Sequence, residues 1–249
     1  AGLTGEDVDA AIVAGAAKGD WATRVVLLDA AAARRIPNAV PTFLAAASDG
    51  HHAVRLAAFV GLREMAGAEH FPALVKLLVD AATVADIEAA QKALLAVGKR
   101  MNDADAKAAP VLAAMAGARP DVKAALLQAL SHWGGANALD GIRQSVKDAA
   151  PEVQDAAVRA LAGWKDEAVV PDLLALVAAS PNATHRMLAL RGVVHLAQKA
   201  AAQAPDAGLE MLEQVRGAAK DAGAKKLLLA AAADIGTPGA LALAASFVG

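Results

Sequence analysis

Six histidines, three tryptophans and no cysteine bound the chemistry open to this 249-residue chain. Without cysteine there is no thiolate nucleophile, no disulfide and no thiolate-held zinc or iron–sulfur cluster. The closest imidazole pair is His51-His52. Neighbours on a helix project about 100° apart, whereas chelation from one helix uses residues three or four apart. The pair is therefore expected to be a solvated helix start. His185 and His195 would stand roughly 15 Å apart along one helix, too far to share a ligand. Neither a Gly-x-Ser-x-Gly elbow nor a glycine-rich phosphate loop occurs. The expectation is a chain with no catalytic residue, no metal ligand and no cofactor, hence not an enzyme.

The elements that would have to position any site recur along the chain. The segment from Pro151 through Val153, Ala156, Ala157 and Leu161 to Trp164 superposes on that from Pro120 through Val122, Ala125, Leu126 and Leu130 to Trp133, at an offset of 31 residues. Carried outward, the pattern places copies at Thr23, Val54, Ile87, Val122, Val153, Thr184 and Ala224, with repeats starting near residues 20, 51, 84, 119, 150, 181 and 221. In each copy a first helix is followed by a break and a second helix with apolar residues three and four apart, as in Leu139, Ile142, Val146 or Leu209, Leu212, Val215. The breaks carry turn and cap residues: Ser48-Asp49-Gly50, Gly134-Gly135, Ser180-Pro181-Asn182 and Thr237-Pro238-Gly239. One such hairpin cannot bury both apolar faces by itself, so neighbours must stack. Trp133 and Trp164, equivalent in the repeat, are expected to be packing residues, and Trp21 an end cap or a contact.

Composition agrees with an all-α reading. More than a quarter of the residues are alanine, Tyr is absent, and Phe numbers only four. Small unbranched side chains favour helix and fill a pleated sheet poorly. The mean hydropathy of +0.39 comes from alanine, and no run reaches the 18 or so apolar residues of a spanning helix. With 24 Lys and Arg against 26 Asp and Glu, net charge −2, no cationic excess offers itself to phosphates, which argues against nucleic acid.

Asp49 through Val54-Arg55-Leu56-Ala57-Ala58, and Asp148 through Pro151, Val153 and Ala156-Ala157, resemble the HEAT repeat family. The resemblance covers most of the chain. It implies an α-solenoid of about seven stacked helical hairpins, a single domain over residues 1–249. The stretch Thr184 to Ala197 also resembles HEAT segments of large, often exported proteins of planctomycete-type bacteria. A soluble bacterial protein, cytoplasmic or exported, is expected, and the start at Ala1 rather than Met is expected to reflect either a removed leader or a piece of something longer. In the family an Asp and an Arg link successive units. Only the Val54 copy keeps both, as Asp49 and Arg55, so a regular ladder is not expected. A HEAT-fold hydroxylase holds iron through His-Glu dipeptides, and this chain offers only Glu69-His70 in the reverse order.

What the resemblance implies for function is a non-catalytic scaffold binding a protein, a peptide or another domain of its parent chain. The alternative is a ligand-binding or enzymatic module of the bilin-lyase or DNA-glycosylase type. HEAT solenoids commonly line their concave face with second helices, whose polar positions are here Lys76, Asp140, Arg143, Gln144, Lys147, Asp172, Glu210 and Glu213. They would form a mixed-charge groove, more basic in the middle and acidic toward the C-terminus, against the plainer reading of a solvated helix face. In the helix expected over Ala138 to Ala149, Arg143 and Lys147 should lie together opposite the apolar stripe.

Overall fold

The computed structural model describes residues 5–247; the outermost residues of the expected domain, 1–4 and 248–249, lie outside them. The chain is about 80% helical, with fifteen α-helices and no strand among the described residues. After α1 (Gly5–Lys18) come seven consecutive pairs: α2 (Trp21–Ala33) with α3 (Val40–Ala46), α4 (His52–Met65) with α5 (Phe71–Val79), α6 (Val84–Lys99) with α7 (Ala104–Met115), and α8 (Pro120–Trp133) with α9 (Ala136–Ser145). They continue as α10 (Pro151–Ala162) with α11 (Val170–Ala179), α12 (Ala183–Ala201) with α13 (Pro205–Val215), and α14 (Ala222–Ile235) with α15 (Pro238–Ala245).

Two compact units divide the contacts, Ala1–Ala138 and Leu139–Gly249. In the first, α2, α4, α6 and α8 pack successively on one another, and α5 touches α7. In the second, α10, α12 and α14 form the corresponding layer, with α13 lying along α12. The approach of α13 to α12 is close enough that a Cβ at Gly208 would stand 2.4 Å from the Ala197 carbonyl oxygen.

Local sequence sets where the first helices begin. Asp20, Thr83, Asn182 and Asp221 cap α2, α6, α12 and α14 by accepting backbone N–H bonds at the open first turn, while Pro120 and Pro151 occupy first-turn positions where no N–H is needed. Gly134 and Gly135 both have positive φ, the conformation that lets the chain turn after α8.

Counting from each cap, the third, seventh and eleventh residues form one buried column: Val54, Ala58, Leu62 in α4; Val122, Leu126, Leu130 in α8; Val153, Ala157, Leu161 in α10; Ala224, Leu228, Ala232 in α14. Each buried Leu or Val contributes about 1.5–3 kcal/mol of transfer free energy. The sequence alignment through Ile87 and Thr184 is displaced by one residue from this column. The caps Thr83 and Asn182 put Asp86 with Ala90 and Leu94, and His185 with Ala189 and Val193, in the buried positions. Helix phase follows the cap, so two hairpins carry an ionisable side chain where α4, α8 and α10 carry valine.

Candidate functional site

Two of the buried ionisable residues, Asp86 and His185, sit at junctions where one second helix hands over to the next first helix, and they are solved differently. At the junction of α4 and α6, Asp86 is 1% exposed. Arg55 donates to it from Nε at 3.0 Å and from Nη2 at 2.8 Å, a bidentate pair. Nη1 of Arg55 meanwhile donates to the carbonyls of Asp49 and Gly50, at 2.9 and 3.2 Å. Thr83 completes a capping box with Asp86. Burial alone would raise the Asp86 pKa, but the bonds from Arg55 and Thr83 and the guanidinium charge outweigh it and hold the carboxyl below its usual range. One hairpin earlier, Arg24 pairs with Asp49. Two inter-helix pairs thus occur in the first unit, but their aspartates are not equivalent: Asp49 precedes the cap His51 by two residues, whereas Asp86 follows the cap Thr83 by three.

The equivalent junction in the second unit, between α10 and α12, is open. Gln154 stands where Arg55 does and His185 where Asp86 does, counting from the caps Ala150, His51, Asn182 and Thr83. Gln154 keeps the local half of the arginine's role, donating to the Asp148 carbonyl at 2.6 Å. Lys147 takes the place of Ser48. What was a cavity of about 280 Å³ lined by Ser48, Arg55, Leu77 and Asp86 becomes one of about 660 Å³ lined by Lys147, Gln154, Leu176 and His185. Arg143, Asp172, Val146, Leu161 and Pro181 also line it. The volume falls within the range typical of ligand pockets.

Charge around this cavity is mostly tied down. Arg143 donates to Asp172 from Nε at 3.0 Å, to Asp140 at 3.0 Å and to the Ala168 carbonyl at 2.9 Å. Its pKa is raised by the hydrogen bond to Asp172, then by that to Asp140. His185 is 8% exposed and its Nε2 lies 3.5 Å from Asp155. That carboxylate is itself held by Arg159 at 2.6 Å. Ser180 Oγ accepts from the Asn182 N–H at 3.3 Å. Lys147 is exposed, and among the described residues its ammonium has no ion-pair partner.

Of the residues singled out from sequence, Arg143, Lys147 and Asp172 come together at this cavity, with Asp140 joined to them through Arg143. Gln144 is exposed on α9. Lys76 lies in the first unit, paired with Asp80, while Glu210 is exposed on α13 and Glu213 pairs with Arg216 at 3.5 Å. Two details differ from expectation. The helix expected to reach Ala149 ends at Ser145, so Lys147 lies in the connection to α10 and Val146 lines the cavity beside it. Arg143 is not a free cation on an open face but the tie between α9 and α11. The sequence reading missed Gln154 and His185 as cavity residues; the signal was their occupation of the Arg and Val positions of the repeat.

His51 is the N-cap of α4 and stacks on the half-exposed Trp21, ring centroids 4.3 Å apart; His52 is half-exposed, 3.7 Å from Asp86. Trp164 is buried, and Trp133 packs on Phe71 with centroids 5.4 Å apart. Among the described residues no cluster of three or more His, Asp or Glu has metal-holding geometry, and no helix is long and apolar enough to cross a membrane.

A family model over part of the chain and one solved archaeal structure support this architecture. Residues 108–193 match the family model for HEAT repeats. An archaeal HEAT-like repeats protein from Thermococcus onnurineus NA1 is similar over 98% of this chain and 99% of its own, at 15% identity and a TM-score of 0.52. The complex of CpcE and CpcF of phycocyanin lyase from Nostoc sp. PCC7120 aligns over 99% of this chain and 95% of its own, at 20% identity and a TM-score of 0.45. An engineered protein aligns over 93% and 68%, at 18% identity and a TM-score of 0.48. No curated protein sequence matches the chain. The fold is that of a HEAT-like helical repeat protein.

Proposed function

We propose that the chain is a non-catalytic scaffold that binds a protein or peptide segment through exposed polar positions of its second helices and their connections. The observation that carries this reading is the convergence of Arg143, Lys147 and Asp172, from α9, its following connection and α11, on one open amphipathic cavity. Its polar groups serve to hold helices together: Arg143 joins α9 to α11, Gln154 caps a carbonyl, and Ser180 braces the start of α12. A nucleophile with a base in reach is a different arrangement. Stacked repeats also present contact positions at regular intervals, which suits an extended segment.

The test is capture of a partner on the immobilised full chain, followed by its affinity for charge-reversed variants. Arg143 must stay, since reversing it would break the tie to Asp172. Lys76→Glu in the first unit, and Glu210→Lys with Glu213→Lys in the second, should each leave helicity unchanged, exposed charges contributing about 0–1 kcal/mol. At least one of them should weaken the complex several-fold at low salt, with the effect fading as salt rises. Retention of no polypeptide, or unchanged affinity across all the variants, would defeat the reading.

A further inference from the structure

At the α4–α6 junction the protein's own arginine–carboxylate pair, Arg55 with Asp86, takes up part of the space between hairpins and leaves a cavity of only about 280 Å³. The repeat-equivalent positions at the α10–α12 junction hold Gln154 and His185, so that space has lost its internal carboxylate. What surrounds it is a set of hydrogen-bonding groups with one uncommitted cation, Lys147, over an apolar wall of Val146, Leu161, Leu176 and Pro181. Of the nearby carboxylates, Asp172 and Asp140 are engaged by Arg143, Asp155 by Arg159, and Asp148 accepts from the Ala150 N–H.

We propose that this cavity is a binding site for a carboxylate carried on an apolar stem, the ligand's carboxylate supplying, beside His185, the negative charge that Asp86 supplies at the equivalent junction. Lys147 supplies the pairing charge at the mouth, the Gln154 amide and the His185 ring supply hydrogen bonds within, and the apolar wall takes the stem. A charge-assisted bond at a partly desolvated site is the strongest kind available here, and burial of the stem adds affinity in proportion to the area covered. The carboxylate can belong to a free organic acid or to an acidic side chain of a bound peptide. The second source rests on the scaffold reading above; the first does not.

The experiment is amide chemical-shift titration of the isotopically labelled full chain with three probes: 3-phenylpropionate, 3-phenylpropanamide, and a capped tetrapeptide with one glutamate beside leucine. The acid or the peptide should shift the amides of Lys147, Gln154 and His185, and the amide probe should not at equal concentration. Lys147→Ser, which installs the residue found at position 48, should weaken binding about tenfold, the scale of one charge-assisted hydrogen bond. Gln154→Arg with His185→Asp rebuilds the pair of the first unit, and should abolish binding while preserving the circular dichroism spectrum. Shifts by the acid alone assign the site to a small molecule, and shifts by the peptide alone assign it to a polypeptide. The proposal is overturned if neither probe shifts these amides, if the uncharged amide does so equally, or if Lys147→Ser binds as the parent does. A captured partner with no shift by either probe leaves the scaffold standing without this pocket. Acid binding with no captured partner leaves the pocket without the scaffold.

Discussion

Replacing Asp86 by alanine removes the acceptor for two guanidinium bonds and the third-residue member of the α6 capping box. Removing one partner of a buried ion pair costs about 3–5 kcal/mol. The Arg55 side chain is 15% exposed and keeps its bonds to the Asp49 and Gly50 carbonyls, so the lower end, about 3 kcal/mol, is expected. Asp86→Val should cost less, about 2 kcal/mol, because the buried column accommodates valine at this position in α4, α8 and α10 and no cavity is left. Arg55→Met combined with Asp86→Val should return to within about 1 kcal/mol of the parent, since no charge is then stranded. The pair also fixes a pH dependence. Asp86 titrates below its ordinary 3.8 in the folded chain, so its stabilisation is fully present above that value and is lost as pH falls through the lower folded pKa. Urea unfolding at pH 7 checks the ranking, followed by fluorescence of Trp21 and Trp133 in a Trp164→Phe background, because repeat arrays need not unfold as one. A double variant as unstable as Asp86→Ala would refute the argument, as would equal losses for alanine and valine.

Two further outcomes follow from local geometry. Gly208→Ala should destabilise the second unit by about 1–3 kcal/mol, because the added methyl meets the Ala197 oxygen at 2.4 Å and the Ala201 nitrogen at 2.9 Å, backbone atoms that cannot step aside. Gly117→Ala, with nothing within 4 Å, is the matched control and should stay within about 0.5 kcal/mol of the parent; Trp164 fluorescence in urea reads the first of these and circular dichroism the second. Asn182→Ala, which removes the cap accepting from Thr184 and His185, should cost about 1 kcal/mol, seen as loss of hydrogen-exchange protection in the first turn of α12.

The sequence alone determined that the chain is a stack of helical hairpins, and the reason is physical. Alanine-rich segments with apolar residues at three and four, punctuated by Asp49-Gly50, Gly134-Gly135 and Pro181-Asn182, leave no other way to bury their faces. It also brought Arg143, Lys147 and Asp172 forward as polar positions of second helices. It did not reveal that Arg143 is consumed by Asp140 and Asp172, because those bonds join separate helices and a linear pattern does not show which charges meet. Nor did it place Asp86 and His185 inside the core, since matching residue types put Ile87 and Thr184 in the register that the caps Thr83 and Asn182 assign one residue away. The cavity itself is purely tertiary. It is the larger of the two equivalent cavities, and a glutamine and a histidine, unremarkable in sequence, stand in it where the earlier junction has an arginine and the aspartate it grips.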